Sequence, residues 1–587
     1  MTNITALTQP LKHLAYTGFL CGVLVACSSA PHRPALSDAV ATATTPAAPK
    51  SEHQPTARLE RDTLLNVLSG EIAARRMLGD EASHHMLAAM ARQPDEALAA
   101  RTARIAHFFK DDITLDNAAQ LWRQFDPEAA EPLYLRAVTY TRQGRLSEAF
   151  DLMETLLNMG ADTNFTAIVS VVSQYPEHGE YLHSGIKRLR QTHATNLQLI
   201  LSEAILSDAA GRSEMALQFS NEALAITPDN YAALHIKARA LQILERHQEA
   251  IDTLLMALDL YPETTNMRLH LARMLTTRDL AAASEQFAIL VEQAPNDANL
   301  RLSLALSLKE LGRTDEATAQ FNTLLDMGRF TDESNYYLAQ IYRQSAPDLA
   351  EGFSLDISRQ SHYFLPGLAL YMDLKSDQGK LLSAIDTLQA RWLPEDNRSA
   401  SIALLASQRL SDIGMPNESA HLLSRAIAQL KDRTELRYTL ALMQQRTGDI
   451  DAAQATLEAN IEEAPEHAAS LNALGYLLAE RGSQLQRAES LIARAIELRP
   501  NDAAIIDSMG WVLFKQGDSA KAAKYLTRAH QLLADPEIAS HLVEVLWHLN
   551  RRIEASDVIR DALQRFPDSP LLQDTVQRLH IPRETLE

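Results

Sequence analysis

The chain has 587 residues, and its 75 acidic residues outnumber its 55 lysines and arginines, for a formal net charge of −20. This negative charge disfavours binding to nucleic acid or to an anionic lipid surface, because both depend on basic residues. It favours basic proteins as partners through long-range attraction. The chain has only two cysteines, and one of them lies in the leader predicted below, so no disulfide is expected.

The first 26 residues predict a lipoprotein signal peptide. Lys12 precedes an apolar and small-residue run from 14 to 26, which is too short to span a bilayer as a helix,. The four residues 24–27, ending in Cys27, resemble the bacterial lipobox, which implies cleavage before Cys27 and acylation of that residue. Ser28 in place of aspartate implies, by the same resemblance, the periplasmic face of the outer membrane. The alternative is an ordinary secretory leader with a chance cysteine.

Residues 27–57 follow as the acylated cysteine and a tether. The segment is rich in proline and alanine and has no aromatic residue. Such a composition cannot bury enough apolar surface to offset the entropy cost of ordering the chain. We therefore expect a flexible link between the anchor and the folded body.

From residue 58 to 567 the chain repeats itself. Alanines that open the second helix of a pair recur at intervals of 33 to 36 residues: Ala216, Ala250, Ala283, Ala317, Ala350, Ala384, Ala420, Ala453, Ala488, Ala522 and Ala555. A residue that tolerates a left-handed turn often stands five positions earlier, as Gly517 and Asn550 do. This is the tetratricopeptide pattern, with a period of about 34 residues.

The repeat predicts an all-α fold, a right-handed superhelical solenoid of about fifteen helix pairs. The pattern is clearest over 197–328 and 432–567 and is degenerate over 163–196 and 330–415. Residues 568–587 read as a capping helix and tail. Because one pair cannot bury its own apolar face, neighbouring pairs must complete the core. Gly510 is expected to be small because the two helices of its pair cross closely.

The first helix of each pair should line the inner wall of such an array. There we place a set of polar and aromatic residues as candidate partner-binding side chains: Asn472, Tyr476, Asp507, Trp511, Lys515, His541 and His548. At the start of the array, Leu64, Leu65 and Leu68 share one helical face, which Ile72 continues. Either this helix folds back onto the first pair, or its apolar edge is exposed and docks a partner in a groove.

The sequence contains no metalloprotease, phosphate-binding, nucleophile-elbow or dinucleotide-binding motif,. We therefore expect no enzymatic activity, no cofactor, no bound metal and no small-molecule substrate. An enzyme whose site leaves no motif is the remaining alternative in that class.

Two stretches carry a more specific resemblance. They are residues 95–110, DEALAARTARIAHFFK, and residues 471–517, which begin LNALGYLLAERG and end WVLFKQG. With the lipobox, they resemble the tetratricopeptide outer-membrane lipoproteins of proteobacteria, among them the adaptors of periplasmic carboxyl-terminal processing proteases. The resemblance implies a scaffold that gathers the protease with its substrates, which are peptidoglycan hydrolases. The alternative is an assembly or export factor for outer-membrane proteins or polysaccharide.

Overall fold

The computed structural model describes residues 59–390, 396–431 and 433–582. Cys27, the predicted leader, the tether and the last five residues of the tail lie outside the described residues. In the described ranges every regular element is helical, with 31 α-helices. None of these helices combines the length and the apolar character that crossing a membrane requires.

The described residues form two compact units, which divide between Phe330 and Thr331. The first unit contains eight helix pairs: α1 (Arg61–Arg75), α2 (Gly79–Arg92), α3 (Glu96–Phe109), α4 (Asp112–Phe125), α5 (Glu131–Arg142), α6 (Leu146–Asn158), α7 (Phe165–Val169), α8 (Gly179–Thr192), α9 (Leu197–Ala209), α10 (Ser213–Ile226), α11 (Tyr231–Ile243), α12 (His247–Leu260), α13 (Thr265–Leu275), α14 (Leu280–Gln293), α15 (Ala298–Glu310) and α16 (Thr314–Asp326).

The second unit contains seven pairs and a final helix: α17 (Thr331–Tyr342), α18 (Pro347–Leu355), α19 (Phe364–Asp377), α20 (Leu381–Gln389), α21 (Asn397–Asp412), α22 (Pro416–Gln429), α23 (Thr434–Thr447), α24 (Ile450–Glu463), α25 (Ala468–Glu480), α26 (Leu485–Leu498), α27 (Ala503–Lys515), α28 (Ser519–Leu532), α29 (Pro536–His548), α30 (Arg552–Arg565) and α31 (Pro570–Arg578).

The predicted all-α fold of tetratricopeptide-type helix pairs is confirmed, with about fifteen pairs as expected. The regular pattern fails in one of the stretches that the sequence marks as degenerate. There the first helix of a pair shrinks to the five residues of α7, and two 3-10 turns follow at Val172–Gln174 and Pro176–His178. Four β-branched residues, Ile168, Val169, Val171 and Val172, and then Pro176 explain this break, because none of them favours continuing a helix,.

Small residues set the distance between the two helices of a pair. The alanine series is buried, with Ala522 fully inaccessible and Ala420 the one half-buried member. In α27, a Cβ atom at Gly510 would lie 2.5 Å from Cγ of Leu526 and 3.2 Å from the carbonyl oxygen of Ala522. The predicted close crossing is therefore present.

The turns between helices follow the predicted pattern. Gly517, two residues after the end of α27, has a φ of 92°, and Asn550, two residues after the end of α29, has a φ of 59°. In both turns the next residue donates its backbone N–H to a carbonyl in the last helical turn, from Asp518 to Leu513 and from Arg551 to Leu546, each at 2.9 Å. These bonds satisfy carbonyls that the helix end leaves free.

The crossing at Gly510 yields a stability prediction. We expect Gly510→Leu to lower the free energy of unfolding by roughly 1–3 kcal/mol, because a larger side chain overpacks against Leu526. Hydrogen exchange should show lost protection in the neighbouring repeats and unchanged protection across residues 59–330. The matched control is Gly352→Leu in α18, where a Cβ meets no atom within 4 Å. Equal damage from the two substitutions, or a uniform loss along the chain, would contradict this account.

Candidate functional site

The first helices of three successive pairs, α25, α27 and α29, contact one another in sequence. Each begins where a polar side chain caps it. The carboxylate of Asp502 accepts from the backbone of α27, and that of Asp535 accepts from the backbone of α29,. Side chains from these helices meet in what we call the aromatic–acid cluster: Tyr476, Glu480, Asp507, Trp511, Lys515, Glu537 and His541.

A buried pair of titratable groups lies at the centre of the cluster. His541 Nδ1 is 2.9 Å from Oδ2 of Asp507, and both side chains are less than a tenth exposed. The other oxygen of Asp507, Oδ1, is buried and has no hydrogen-bond partner among the described residues. Burial raises the pKa of Asp507. Burial alone lowers the pKa of His541, but the facing carboxylates of Asp507, Glu537 and Glu480 outweigh it and raise that pKa.

Trp511 is covered by His541 and Lys515. The imidazole ring of His541 stacks on the indole at 4.1 Å between ring centroids, with 19° between the planes. The Lys515 ammonium lies 4.7 Å from the indole centroid. Trp511 Nε1 donates a hydrogen bond to Glu480, whose carboxylate is 3.7 Å from the same ammonium.

Tyr476 ties the first of the three helices to the last. Its hydroxyl donates to Oε1 of Glu537 at 3.0 Å, which joins α25 to α29. Burial raises the pKa of Tyr476, so it stays a neutral donor. Phe514 and His548 extend the aromatic surface beyond Trp511. The ring centroids of Trp511 and Phe514 are 5.4 Å apart, and those of Phe514 and His548 are 5.5 Å apart.

The structure brings five of the predicted inner-wall residues into one cluster: Tyr476, Asp507, Trp511, Lys515 and His541. Asn472 occupies the position of Asp507 one repeat earlier, and its Oδ1 is also buried without a partner in the described chain. Glu480 and Glu537 were not predicted from the sequence. Helical spacing could have found both, since Glu480 is four residues after Tyr476 and Glu537 is four before His541.

A second candidate surface lies at the start of the first unit. Leu64, Leu65, Leu68 and Ile72 in α1 are 43–63% exposed among the described residues. Helix α1 packs against α2 through a different face, formed by Thr63, Gly70 and Ala73. Thus α1 packs against its own partner helix α2, and the apolar edge does not take part in that packing.

A third cluster, which the sequence analysis did not identify, lies on the first helices α11 and α13. His235 and His270 have ring centroids 6.1 Å apart, and His270 Nε2 is 2.8 Å from Oε1 of Gln242. Burial lowers the pKa of His270 to about 4, so this imidazole is neutral near pH 7. In the described chain, no three histidine, cysteine, aspartate or glutamate side chains are arranged to hold a metal ion.

Comparison with known proteins points to the same repeat. A tetratricopeptide repeat model matches residues 275–330 and 438–503, one match in each compact unit. The TPR repeat-containing protein PA4667 of Pseudomonas aeruginosa is 29% identical over 519 residues, which are 86% of this chain and 80% of that protein.

Solved structures are similar at a lower level. The Naa15/Naa10 complex bound to HypK-THB is 16% identical, with a TM-score of 0.39 and 66% of each chain covered. A thermophilic TPR protein of Thermus thermophilus is 23% identical, with a TM-score of 0.29, and the match covers 31% of this chain and 98% of that one.

The buried His541–Asp507 pair yields a pH prediction. Both pKa values are raised in the folded state, so folding binds protons and the stability of α27 and α29 falls as pH rises. The contribution of His541 is fully present below its ordinary pKa of about 6.5 and is lost as pH passes through the raised value. We expect opening free energies from hydrogen exchange in these helices to decrease with pH. His541→Gln should remove the imidazole's share of that slope and leave the share of Asp507, and His548→Gln, on the same helix but exposed, should keep the whole slope. Opening free energies that rise with pH would contradict the assignment.

Proposed function

We propose that this chain, whose helix pairs follow the tetratricopeptide pattern, acts as a non-enzymatic scaffold that binds protein partners. The observation that carries this proposal is the exposed apolar edge of α1. Four large apolar side chains share one helical face and are about half exposed, while a separate face holds the helix on α2. An exposed row of this kind marks an interaction surface.

The exposed part of this edge is large enough to contribute to docking. Covering Leu64, Leu65 and Leu68 would contribute about 2–5 kcal/mol before the cost of association, because complete burial of one such side chain contributes about 1.5–3 kcal/mol and each is only about half exposed,. An apolar helical face with this spacing fits a hydrophobic groove on a partner. We propose that the partner lays α1 into such a groove.

The finer part of the proposal names the partners. We propose that the scaffold gathers a periplasmic carboxyl-terminal processing protease with its peptidoglycan-hydrolase substrates, held at the outer membrane by lipid on Cys27. The two stretches that resemble such adaptors support this, because one contains most of a candidate surface and the other is hydrogen-bonded to the helix that forms the second. Residues 471–517 include α27 and most of α25, with most of the aromatic–acid cluster. Residues 95–110 include α3, whose Arg101 donates two hydrogen bonds, of 2.5 and 2.7 Å, to Glu71 of α1.

Charge placed on the apolar edge tests the docking. We expect Leu64→Asp combined with Leu68→Asp to abolish binding of the processing protease from the same organism in a size-exclusion or calorimetric assay. The thermal transition should stay nearly unchanged, since both side chains are exposed. The matched control is Leu255→Asp with Leu260→Asp in α12, both 47% exposed, which should bind normally. Protease binding at wild-type strength in the α1 variant would rule out this docking site.

The proposed anchor has its own test. We expect Cys27→Ala to leave an uncut or mislocalised precursor whose circular dichroism spectrum and thermal transition match those of the wild type. The reason is that acylation needs the thiol, whereas the described helices begin at Arg61, after the predicted tether. Fractionation of cells expressing each form is the measurement. A variant that fractionates with the outer membrane like the wild type would remove the anchor from the proposal.

A further inference from the structure

The aromatic–acid cluster contains a buried oxygen that no group of the described chain satisfies. Asp507 is about one-twentieth exposed, and its Oδ2 is held by His541, but its Oδ1 has no hydrogen-bond partner. A buried carboxylate oxygen without a donor is costly, and such atoms in folded proteins call for an explanation. The cluster has two further carboxylates: that of Glu480 accepts from Trp511, and that of Glu537 accepts from Tyr476. The cluster therefore holds three carboxylates, one of which has a buried oxygen that no donor of the described chain reaches.

The cation already present in the cluster is weakly held. Lys515 Nζ is 3.7 Å from the Glu480 carboxylate, which is beyond hydrogen-bond distance, and its side chain is one-third exposed. It lies over the Trp511 ring at a distance that allows a cation–π interaction,. An ion pair with this geometry and exposure contributes little to stability. The face of Trp511 thus accommodates a cation that an incoming group can replace.

We infer that the aromatic–acid cluster is a binding site for an arginine side chain of a partner protein, which displaces Lys515 from the face of Trp511. A guanidinium group fits this surface better than an ammonium, because it stacks flat on an indole and donates two parallel hydrogen bonds to one carboxylate. Glu480 supplies that carboxylate beside Trp511, and Glu537 supplies a second on α29. This inference rests on the proposed scaffold function and specifies that a partner binds the cluster through an arginine side chain.

The charge of the whole chain supports the same choice. With a net charge of −20, the protein attracts basic segments over long range before any contact forms,. That general attraction does not select a site, whereas the cluster combines carboxylates with aromatic faces. A test must therefore distinguish binding at the cluster from binding that depends only on the net charge of the chain.

The experiment measures binding of two labelled peptides to the full chain by fluorescence anisotropy. One peptide has four Gly-Ser-Arg repeats, and the other has Gly-Ser-Gln in their place. We expect only the arginine peptide to bind, and Glu480→Gln with Glu537→Gln to weaken it by about tenfold or more. Glutamine keeps an acceptor for Trp511 and Tyr476, so the fold is preserved. The matched control, Glu462→Gln with Glu466→Gln, removes the same charge from exposed positions on the neighbouring pair and should change the affinity by less than about twofold.

Lys515→Met provides the decisive second variant. Removal of the internal cation should tighten binding of the arginine peptide, because the peptide no longer competes with Lys515 for Trp511. A purely structural role of Lys515 predicts weaker or unchanged binding, and either result would overturn the inference. The inference would also be overturned if the control variant, Glu462→Gln with Glu466→Gln, weakened peptide binding equally. That result would show that binding depends only on the net charge.

The arginine site and the proposed scaffold function can fail separately. The α1 variant with Leu64→Asp and Leu68→Asp should still bind the arginine peptide at wild-type strength. Loss of peptide binding in that variant would contradict an independent site at α25–α29. A full chain that binds the protease through α1 but ignores the arginine peptide would end the inference and leave the scaffold function standing.

Discussion

The close crossing of the two helices in each pair is the constraint on which the rest of the structure depends. At Gly475 a Cβ atom would lie 2.5 Å from Cγ1 of Ile492, and at Gly510, one repeat later, it would lie 2.5 Å from Cγ of Leu526. Both glycines lie on the first helix and face a branched side chain of the second. With so little space, the two helices of a pair can meet in only one register. That register decides which face of each first helix is left for other contacts.

The free faces of the first helices then meet at repeat spacing. Asp507 and His541 occupy equivalent positions on α27 and α29, so a fixed register brings them to hydrogen-bond distance. Tyr476 reaches further, to Glu537 two repeats away. Polar and aromatic groups that are far apart in the chain thus form one surface without any loop to position them. A partner bound at this surface would contact three repeats at once.

Local sequence features predicted most of the fold, because the features that build a helix pair are local. Buried alanines, turn residues such as Gly517 and the glycine at 510 mark helix crossings and ends wherever they occur. The short helix at Phe165–Val169 escaped prediction, because its β-branched residues lie within a segment of ordinary helix length. The pattern of apolar residues in α1 also could not decide whether the edge is covered, since exposure depends on neighbours and not on periodicity.

Five of the seven cluster residues were predicted from the sequence, but Glu480 and Glu537 and the contacts within the cluster were not. Position on the first helix was enough to select Asp507, Trp511 and His541. The stack of His541 on Trp511 depends on side-chain conformations chosen by residues one repeat away, and sequence spacing does not encode them. The placement of Lys515 over the indole is of the same kind. The repeat period therefore located the surface, whereas the ring stacking and the cation position on it were seen only in the structure.

The central claim is that partners contact the first helices and the exposed edge of α1, and not the second helices. Site-specific photo-cross-linking in cells expressing the full chain tests this most directly, with the cross-linker placed singly at Leu68, His548, Leu498 and Leu532. The last two are exposed residues of the second helices α26 and α28. The account predicts adducts to partner proteins from Leu68 and His548 and none from Leu498 or Leu532. Adducts from the second helices at equal yield would contradict it.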